Sequence, residues 1–332
     1  MTWNSSKNGH QRMSRKSFLQ KSSLSLFALG LSGIEKPVLA VSRSISGQKT
    51  GNKMLAETVR TISYNVFNGC IGYKGINGLE LPEGEVSDLV KTARKLKQIP
   101  ARIMLELDLY SPNIINFSES AKEDVVAQMA KMSNLNYAFF SSGKENSGGH
   151  PGSILTTYDI VSSQNRPFVH AKDDVKELFT RHWGKATLRT PGGKTIIVHS
   201  AHLWPFRREP RDTEIRLREI EQLIIAVKDD LKKTDLILLQ GDLNHTPDTE
   251  EYQQLKKAGF TDAFVAAGSG DGFTTNADTP VKRIDFIYGV GAMARDIRHC
   301  RPLFEGAFRM NNQDPKSFAL SDHLPVLADF VI

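Results

Sequence analysis

Short strings along the chain set acids, amides and imidazoles at the edges of apolar runs. Tyr64-Asn65-Val66 closes the first run, and Asn116-Phe117-Ser118-Glu119 closes the second. Ser200-Ala201-His202-Leu203 and Gly241-Asp242-Leu243-Asn244 end two more, followed by Arg283-Ile284-Asp285-Phe286-Ile287 and Ser321-Asp322-His323-Leu324-Pro325. These residue types ligate hard cations and move protons. Placed where strands stop, they are how an open sheet assembles a site from distant stretches of chain. Each string alone also has a purely structural reading. An Asn after a strand forms turns, Asp-Leu-Asn caps a helix or turn, and Asp-His makes a surface pair. No competing constellation is present. The chain has no GxSxG elbow, Walker loop or HExxH, and neither Cys70 nor Cys300 sits in a motif.

The elements that must position these strings are legible as β-branched or apolar runs. Strands are predicted at Thr61–Val66, Asn113–Phe117, Ser153–Thr156, Asp159–Ser162, Lys185–Arg189, Thr195–Ser200, Asp235–Gln240, Arg283–Tyr288 and Val326–Ile332. The clearest helix is Thr213–Lys233, where Ile220, Leu223, Ile224, Val227 and Leu231 make one apolar stripe. A second runs from about Val86 to Tyr110, with a break expected before Pro100. Residues 67–84 and 141–152 are rich in Gly and Asn and read as loops. There is no internal repeat and no composition break, so residues 59–332 read as one α/β domain, preceded by a polar linker over 41–58.

Composition narrows the classes. The 332 residues are 39% hydrophobic and 24% charged, which excludes a disordered chain. A mean hydropathy of −0.33, with no long apolar run, excludes a multispanning membrane protein. Two cysteines exclude a disulfide scaffold and a Cys-rich zinc module, while a Cys70–Cys300 pair stays open. The net charge of +6 and pI near 9.1 point toward nucleic acid until the charges are located. Residues 1–40 hold six of the 43 Lys and Arg and one of the 37 Asp and Glu, leaving the body 37 against 36. The basicity belongs to the leader. There, basic residues precede the 13-residue stretch Ser22–Ile34 and then Val38-Leu39-Ala40, the layout of an export signal too short to span a bilayer. Ser14-Arg15-Lys16-Ser17-Phe18-Leu19-Gln20 resembles the twin-arginine motif with Lys16 in the second arginine's place, so the general secretory route stays open and Met13 is an alternative start. An exported location, periplasmic or extracellular, is expected.

In order and spacing, the six strings resemble the endonuclease/exonuclease/phosphatase family over Thr61 to Ile332, most specifically through GDLN at 241–244 and SDHLP at 321–325. Ser118 and Asn113 depart from the family's usual Gln and Asp. The resemblance implies a two-sheet β-sandwich flanked by helices, four layers deep and deoxyribonuclease-like, with the site at one end of the sheets. It implies that Glu119 is a metal carboxylate for Mg²⁺ or Mn²⁺, with Ca²⁺ as an alternative, and that Asn65 and Asp322 are its neighbours. Asp242 is placed like the acid that orients or deprotonates water, Asn244 like an amide on a phosphate oxygen, and His202 like a charge-stabilising or proton-donating histidine. Asp285 and His323 resemble a carboxylate–imidazole pair, so Asp242 and His323 compete as base. The implied reaction is metal-assisted hydrolysis of a phosphate ester by in-line attack of water.

Selectivity is expected in the loops 67–84, 141–152 and 204–213. After His202 the chain reads Leu203-Trp204-Pro205-Phe206-Arg207-Arg208-Glu209-Pro210-Arg211-Asp212, whose prolines argue for a loop. Arg207, Arg208 and Arg211 can grip phosphate and Trp204 can stack. Equally, the arginines can pair with Glu209, Asp212 and Glu214 on an exposed loop. A nearly neutral body gives little purchase on a long polyanion, so a small or lipid-derived ester is favoured over nucleic acid. The rival class is an exported binding protein that keeps the fold without the chemistry. Such a protein should lack one or more of Glu119, His202, Asp242, Asn244, Asp285 and His323, and all six are present.

Overall fold

Two sheets of six strands stack face to face. The computed structural model describes residues 56–73, 75, 76, 79, 80, 93, 98–143, 149–168, 178–311, 313, 314 and 317–332, all within the unit Lys53–Ile332. The expected export signal, linker residues 41–55, the parts of the expected helix at 86–92 and 94–97, and the parts of the expected loops at 74, 77, 78, 81–84 and 144–148 lie outside them. Among the described residues no helix is long and apolar enough to cross a membrane.

The first sheet is built from β1 (Thr58–Asn65), β4 (Ile114–Ser118), β5 (Asn136–Phe140), β6 (Gly152–Thr156), β13 (Ile297–Pro302) and β14 (Val326–Val331), in the order β13-β14-β1-β4-β6-β5. The second uses β7 (Asp159–Asn165), β8 (His182–Arg189), β9 (Thr195–His202), β10 (Leu236–Asp242), β11 (Thr261–Asp262) and β12 (Asp285–Gly291), in the order β11-β12-β10-β9-β8-β7. Each sheet carries one parallel pair at its centre, β1 with β4 and β9 with β10, and the other neighbours are antiparallel. This matched layout leaves no trace as a repeat in the sequence. A short hairpin, β2 (Gly75–Ile76) with β3 (Leu79–Glu80), lies within the stretch expected to be loop.

Side chains alternate between sheet faces with period two, and that alternation builds the layers. Ile114, Ile154, Ala186, Leu188, Val198, Leu238, Ile287, Ala328 and Phe330 fill the space between the sheets. On the outer face of the first sheet, Ile62, Ile115 and Phe117 pack with Ile103, Leu107, Val126 and Met129 of helices α1 (Gln98–Asp108) and α2 (Glu123–Met132). On the other side, Ile197, Ile237, Leu239 and Phe286 pack with Ile220, Leu223, Val227 and Leu255 of α3 (Pro210–Asp230) and α4 (Glu250–Lys257). A short α5 (Ala263–Ala267) is capped by the Asp262 carboxylate. The expected four-layer sandwich is the observed fold.

Three local expectations are corrected. Pro100 lies inside α1, in the first turn, where its missing N–H costs no intrahelical bond. Pro210 opens α3 rather than interrupting it, with Glu209 and Asp212 forming a capping box, so Arg211 stands in the helix's first turn and not in a loop. Strand β8 begins at His182, three residues before the predicted start. Both cysteines are buried free thiols.

Candidate active site

Along the inner faces the alternation runs from apolar to polar toward one end of the sandwich. On β1 the inward series is Val59, Thr61, Ser63, Asn65; on β4 it is Ile114, Asn116, Ser118; on β10 it is Leu236, Leu238, Gln240, Asp242. The β9 series Ile196, Val198, Ser200, His202 behaves likewise. Apolar positions weld the sheets together at one end and polar ones meet at the other. Thr61 Oγ1 donates to Gln240 Oε1 across the interface at 2.8 Å, and nearer the polar end Asn65 Nδ2 donates to Asp242 Oδ2 at 3.0 Å.

Asp242 is the meeting point. Its Oδ1 accepts the backbone N–H of Asn244 at 3.0 Å, and His202 Nε2 and His323 Nε2 lie 3.5 and 3.9 Å from its Oδ2. Asp285 faces Asp242 across the β10–β12 ladder. His323 Nδ1 lies 2.8 Å from Asp285 Oδ2; a carboxylate oxygen only accepts, so Nδ1 carries the proton. Burial and the neighbouring Asp285 push the Asp242 carboxyl up to about 7. Burial opposes charge on His323, but Asp285, Asp322 and Asp242 raise it well above the usual imidazole range. Burial holds His202 well below that range, and its Nδ1 is a buried nitrogen without a partner among the described residues.

Gly241 is demanded by this geometry. It adopts φ +146°, and a Cβ there would stand 1.9 Å from the carbonyl oxygen of Ala201. The GD step therefore brings β10 against β9 more closely than any side chain allows, just where Asp242 must meet His202.

Glu119 follows β4 in a left-handed conformation, φ 52°, which the turn at 67–70 clamps from both sides. Gly69 N donates to its carbonyl at 2.8 Å and Asn68 N to its Oε2 at 2.8 Å. His150 Nδ1 lies 3.2 Å from Oε2 and Arg181 Nη1 3.5 Å from Oε1. Burial would raise this carboxyl, but the His150 contact and the nearby His202 hold it well below the usual range. Asp322 is raised by burial, partly offset by His323, and further by Glu119.

This donor set fits a divalent cation. Glu119 and Asp322 are held close enough to repel, Asn65 adds an amide, and Asp285 Oδ1 is a buried oxygen with no partner among the described residues. Hard oxygen donors of this kind suit a small dication. Asp242, Asp285 and His323 also place ligand atoms within 4.8 Å of one another. His323 Nδ1 is already engaged by Asp285, so this second trio reads as the acid–base side of the same pocket.

The structure brings Asn65, His202, Asp242, Asn244, Asp285 and His323 together through these contacts and sets Glu119 beside them. Asn65 Oδ1 accepts from Phe67 N at 3.0 Å, and Asn244 Nδ2 donates to the Leu203 carbonyl at 3.0 Å, so both amides also brace backbone. Of the arginine loop, Arg207 reaches the site's edge, donating to the Asn244 carbonyl at 2.7 Å. Trp204 packs against the outer core and donates its indole N–H to Asp212 at 2.7 Å, and Arg208 lies over the Phe206 ring. Arg211 stands on α3.

Three neighbours escaped the sequence reading: His150, Arg181 and His182. The His202 ring has His150 and His182 each 6.1 Å away, centroid to centroid, and His182 pairs directly with His202 in the β8–β9 register. Extending the period-two series Leu188, Ala186, Gly184 upstream would have reached His182. His150 lies in a Gly-rich stretch without periodicity and carries no such signal.

Comparison with known proteins agrees with this geometry. The family model for the Endonuclease/Exonuclease/phosphatase family matches residues 62–323. No curated protein matches the chain by sequence. Among solved structures, an endonuclease/exonuclease/phosphatase family protein from Bacteroides thetaiotaomicron superposes with a TM-score of 0.61 at 15% identity, covering 84% of this chain and 96% of its own. A mannosyl-6-phosphatase from the same organism gives 0.60 at 15% identity, over 82% and 100%. Truncated TDP2 from Caenorhabditis elegans gives 0.55 at 16% identity, over 83% and 98%. At these identities the likeness is one of fold.

Proposed function

The chain belongs to the endonuclease/exonuclease/phosphatase family and is a metal-dependent phosphoric ester hydrolase; from that premise we propose that its substrate is a small or lipid-derived phosphate ester. The observation that carries the chemistry is the convergence of Asn65, His202 and His323 on the Asp242 carboxylate. Asp242 takes the proton of the attacking water. His323, its ring held at Nδ1 by Asp285, turns Nε2 toward Asp242 and the phosphoryl oxygens. His202, kept neutral by burial, offers a ring N–H to the charge developing on the phosphoryl group, with Arg181 beside it as a guanidinium on the phosphate. Glu119, Asp322 and Asn65 would hold Mg²⁺ or Mn²⁺. When bound, such an ion supplies Lewis-acid stabilisation of the developing charge.

Two observations favour a compact substrate. The body carries 37 basic against 36 acidic residues beyond residue 40, and it lacks the broad positive balance a polyanion needs. A cavity of about 620 Å³ adjoins Glu119 and His150, lined also by Cys70, Ile99, Lys122 and Pro151, with room for one leaving group. A structural neighbour named as a mannosyl-6-phosphatase supports a phosphomonoester of that size. The test is a panel of monoester, diester, lipid headgroup and duplex DNA substrates assayed with Mg²⁺, Mn²⁺ or Ca²⁺. A shallow salt dependence on a small ester is expected. Efficient duplex cleavage, with a log–log salt slope for six or more phosphate contacts, would make the enzyme a nuclease instead. The same reading has residues 1–40 removed on export; native protein retaining Met1 or Met13 would overturn that part.

A further inference from the structure

Glu219, on α3's inner face, has a wholly buried side chain that is held by backbone N–H groups rather than by an ion pair among the described residues. Its two oxygens are divided between two segments of backbone. Oε1 accepts the N–H of Phe179 at 2.6 Å, and Oε2 accepts the N–H of Trp204 at 2.8 Å. Trp204 lies two residues beyond His202, and Phe179 two residues before Arg181. Phe179 is held at φ 51°, a strained conformation for an aromatic residue, and its ring packs against Trp183 at 4.6 Å. From the opposite side, Gly143 N donates to the Arg181 carbonyl and Ser142 Oγ to the Thr180 carbonyl.

We infer that Glu219 is a positioning residue: one carboxylate on α3 ties the chain entering β8 to the chain leaving β9, and so sets Arg181 and His202 relative to each other. The role rests on the hydrolase reading above. A carboxylate is the right group because it accepts at both oxygens, whereas an amide in its place would present an NH₂ to one of the two N–H donors. Burying it unpaired is costly, and burial pushes it up to about 7 against the two backbone hydrogen bonds that favour its ionised form. Ordinary helix packing at this position would be served better by an apolar side chain.

The test compares Glu219→Gln with Ile220→Val, a neighbouring core change that lowers stability without touching either loop. Amide exchange is followed at about pH 8, where the carboxylate is ionised. In Glu219→Gln, exchange at residues 178–183 and 202–204 should quicken about tenfold or more while β10 stays protected. On the best ester of the panel, kcat should fall about tenfold or more with KM within about threefold, because misplacing His202 acts on the reaction step. Unchanged local exchange, or a kcat loss no larger than that of Ile220→Val, would overturn the inference. Should Glu219→Gln fail to fold, the wild type decides: Phe179 and Trp204 amides exchanging at the rate of free loop amides would equally overturn it. Absence of any hydrolysis by the wild type would sink the enzymatic reading, while the exchange measurement would still report whether Glu219 joins the two segments.

Discussion

Asp285 Oδ2 and His323 Nδ1 are 2.8 Å apart, and both side chains are buried. Thirty-eight positions separate them in the chain, and each stands at the polar end of a different sheet, Asp285 at the start of β12 and His323 just before β14. The pair engages Nδ1 and leaves Nε2 turned toward Asp242.

Replacing Asp285 with Asn keeps the shape but removes the charge that holds His323 protonated and sets an amide N–H against Nδ1–H, so the ring loses its anchor. Steady-state kinetics of Asp285→Asn should show kcat lowered about 10²-fold or more, at nearly unchanged KM. Wild-type turnover would mean that His323 plays no part in the reaction step.

Metal dependence separates the two halves of the site. Chelation should abolish activity and added Mg²⁺ or Mn²⁺ should restore it. Glu119→Gln should raise the concentration of metal needed for half-activation by about tenfold or more. His202→Ala should leave that concentration near normal and slow turnover by about 10²-fold. Full activity in EDTA, or in Asp242→Ala, is incompatible with the proposed chemistry.

Gly241 should tolerate no side chain. A methyl group there meets the Ala201 carbonyl at 1.9 Å in a backbone conformation that L residues avoid. Gly241→Ala should lower unfolding stability by at least about 2 kcal/mol, read from the denaturant midpoint, and activity should fall with it. A midpoint equal to wild type would show that β9 and β10 do not approach as closely as described.

Glu219 should leave a mark on stability against pH. Burial raises its folded value to about 7 from an ordinary 4.5, so the folded protein holds this proton more tightly than the unfolded chain. The sign follows: the stabilising contribution is fully present below pH 4.5 and is lost as pH rises through 7. Over that interval, wild type should lose on the order of 3 kcal/mol relative to Glu219→Gln. Parallel curves for the two proteins would show that Glu219 titrates as an exposed acid does.

What the sequence determined by itself is which residue types stand where strands stop. Asn65, His202 and Asp242 are legible because the period-two pattern and the switch from apolar to polar are local properties of a few consecutive residues. The two-sheet fold followed from the family resemblance that GDLN and SDHLP carry, not from the runs themselves. The ends of elements were less legible. Pro210 and Pro100 read as breaks, because a proline that opens a helix and one that ends it differ only in the bonds made around them. Tertiary structure alone decided the neighbours. Asn65 meets Asp242 across 177 positions because two sheets pack face to face, and the spacing between sheets is set by side-chain volume in the core rather than by distance along the chain. It alone decided that Trp204 turns inward to Asp212 and Glu219 while Arg207 reaches Asn244, since one loop sequence permits either direction. It also decided the charges: Asp242 and Glu119 are both carboxylates in sequence, yet one is pushed up by burial beside another acid and the other held down by imidazole and backbone N–H, because ionisation answers to the local field and solvent, which only the folded arrangement supplies.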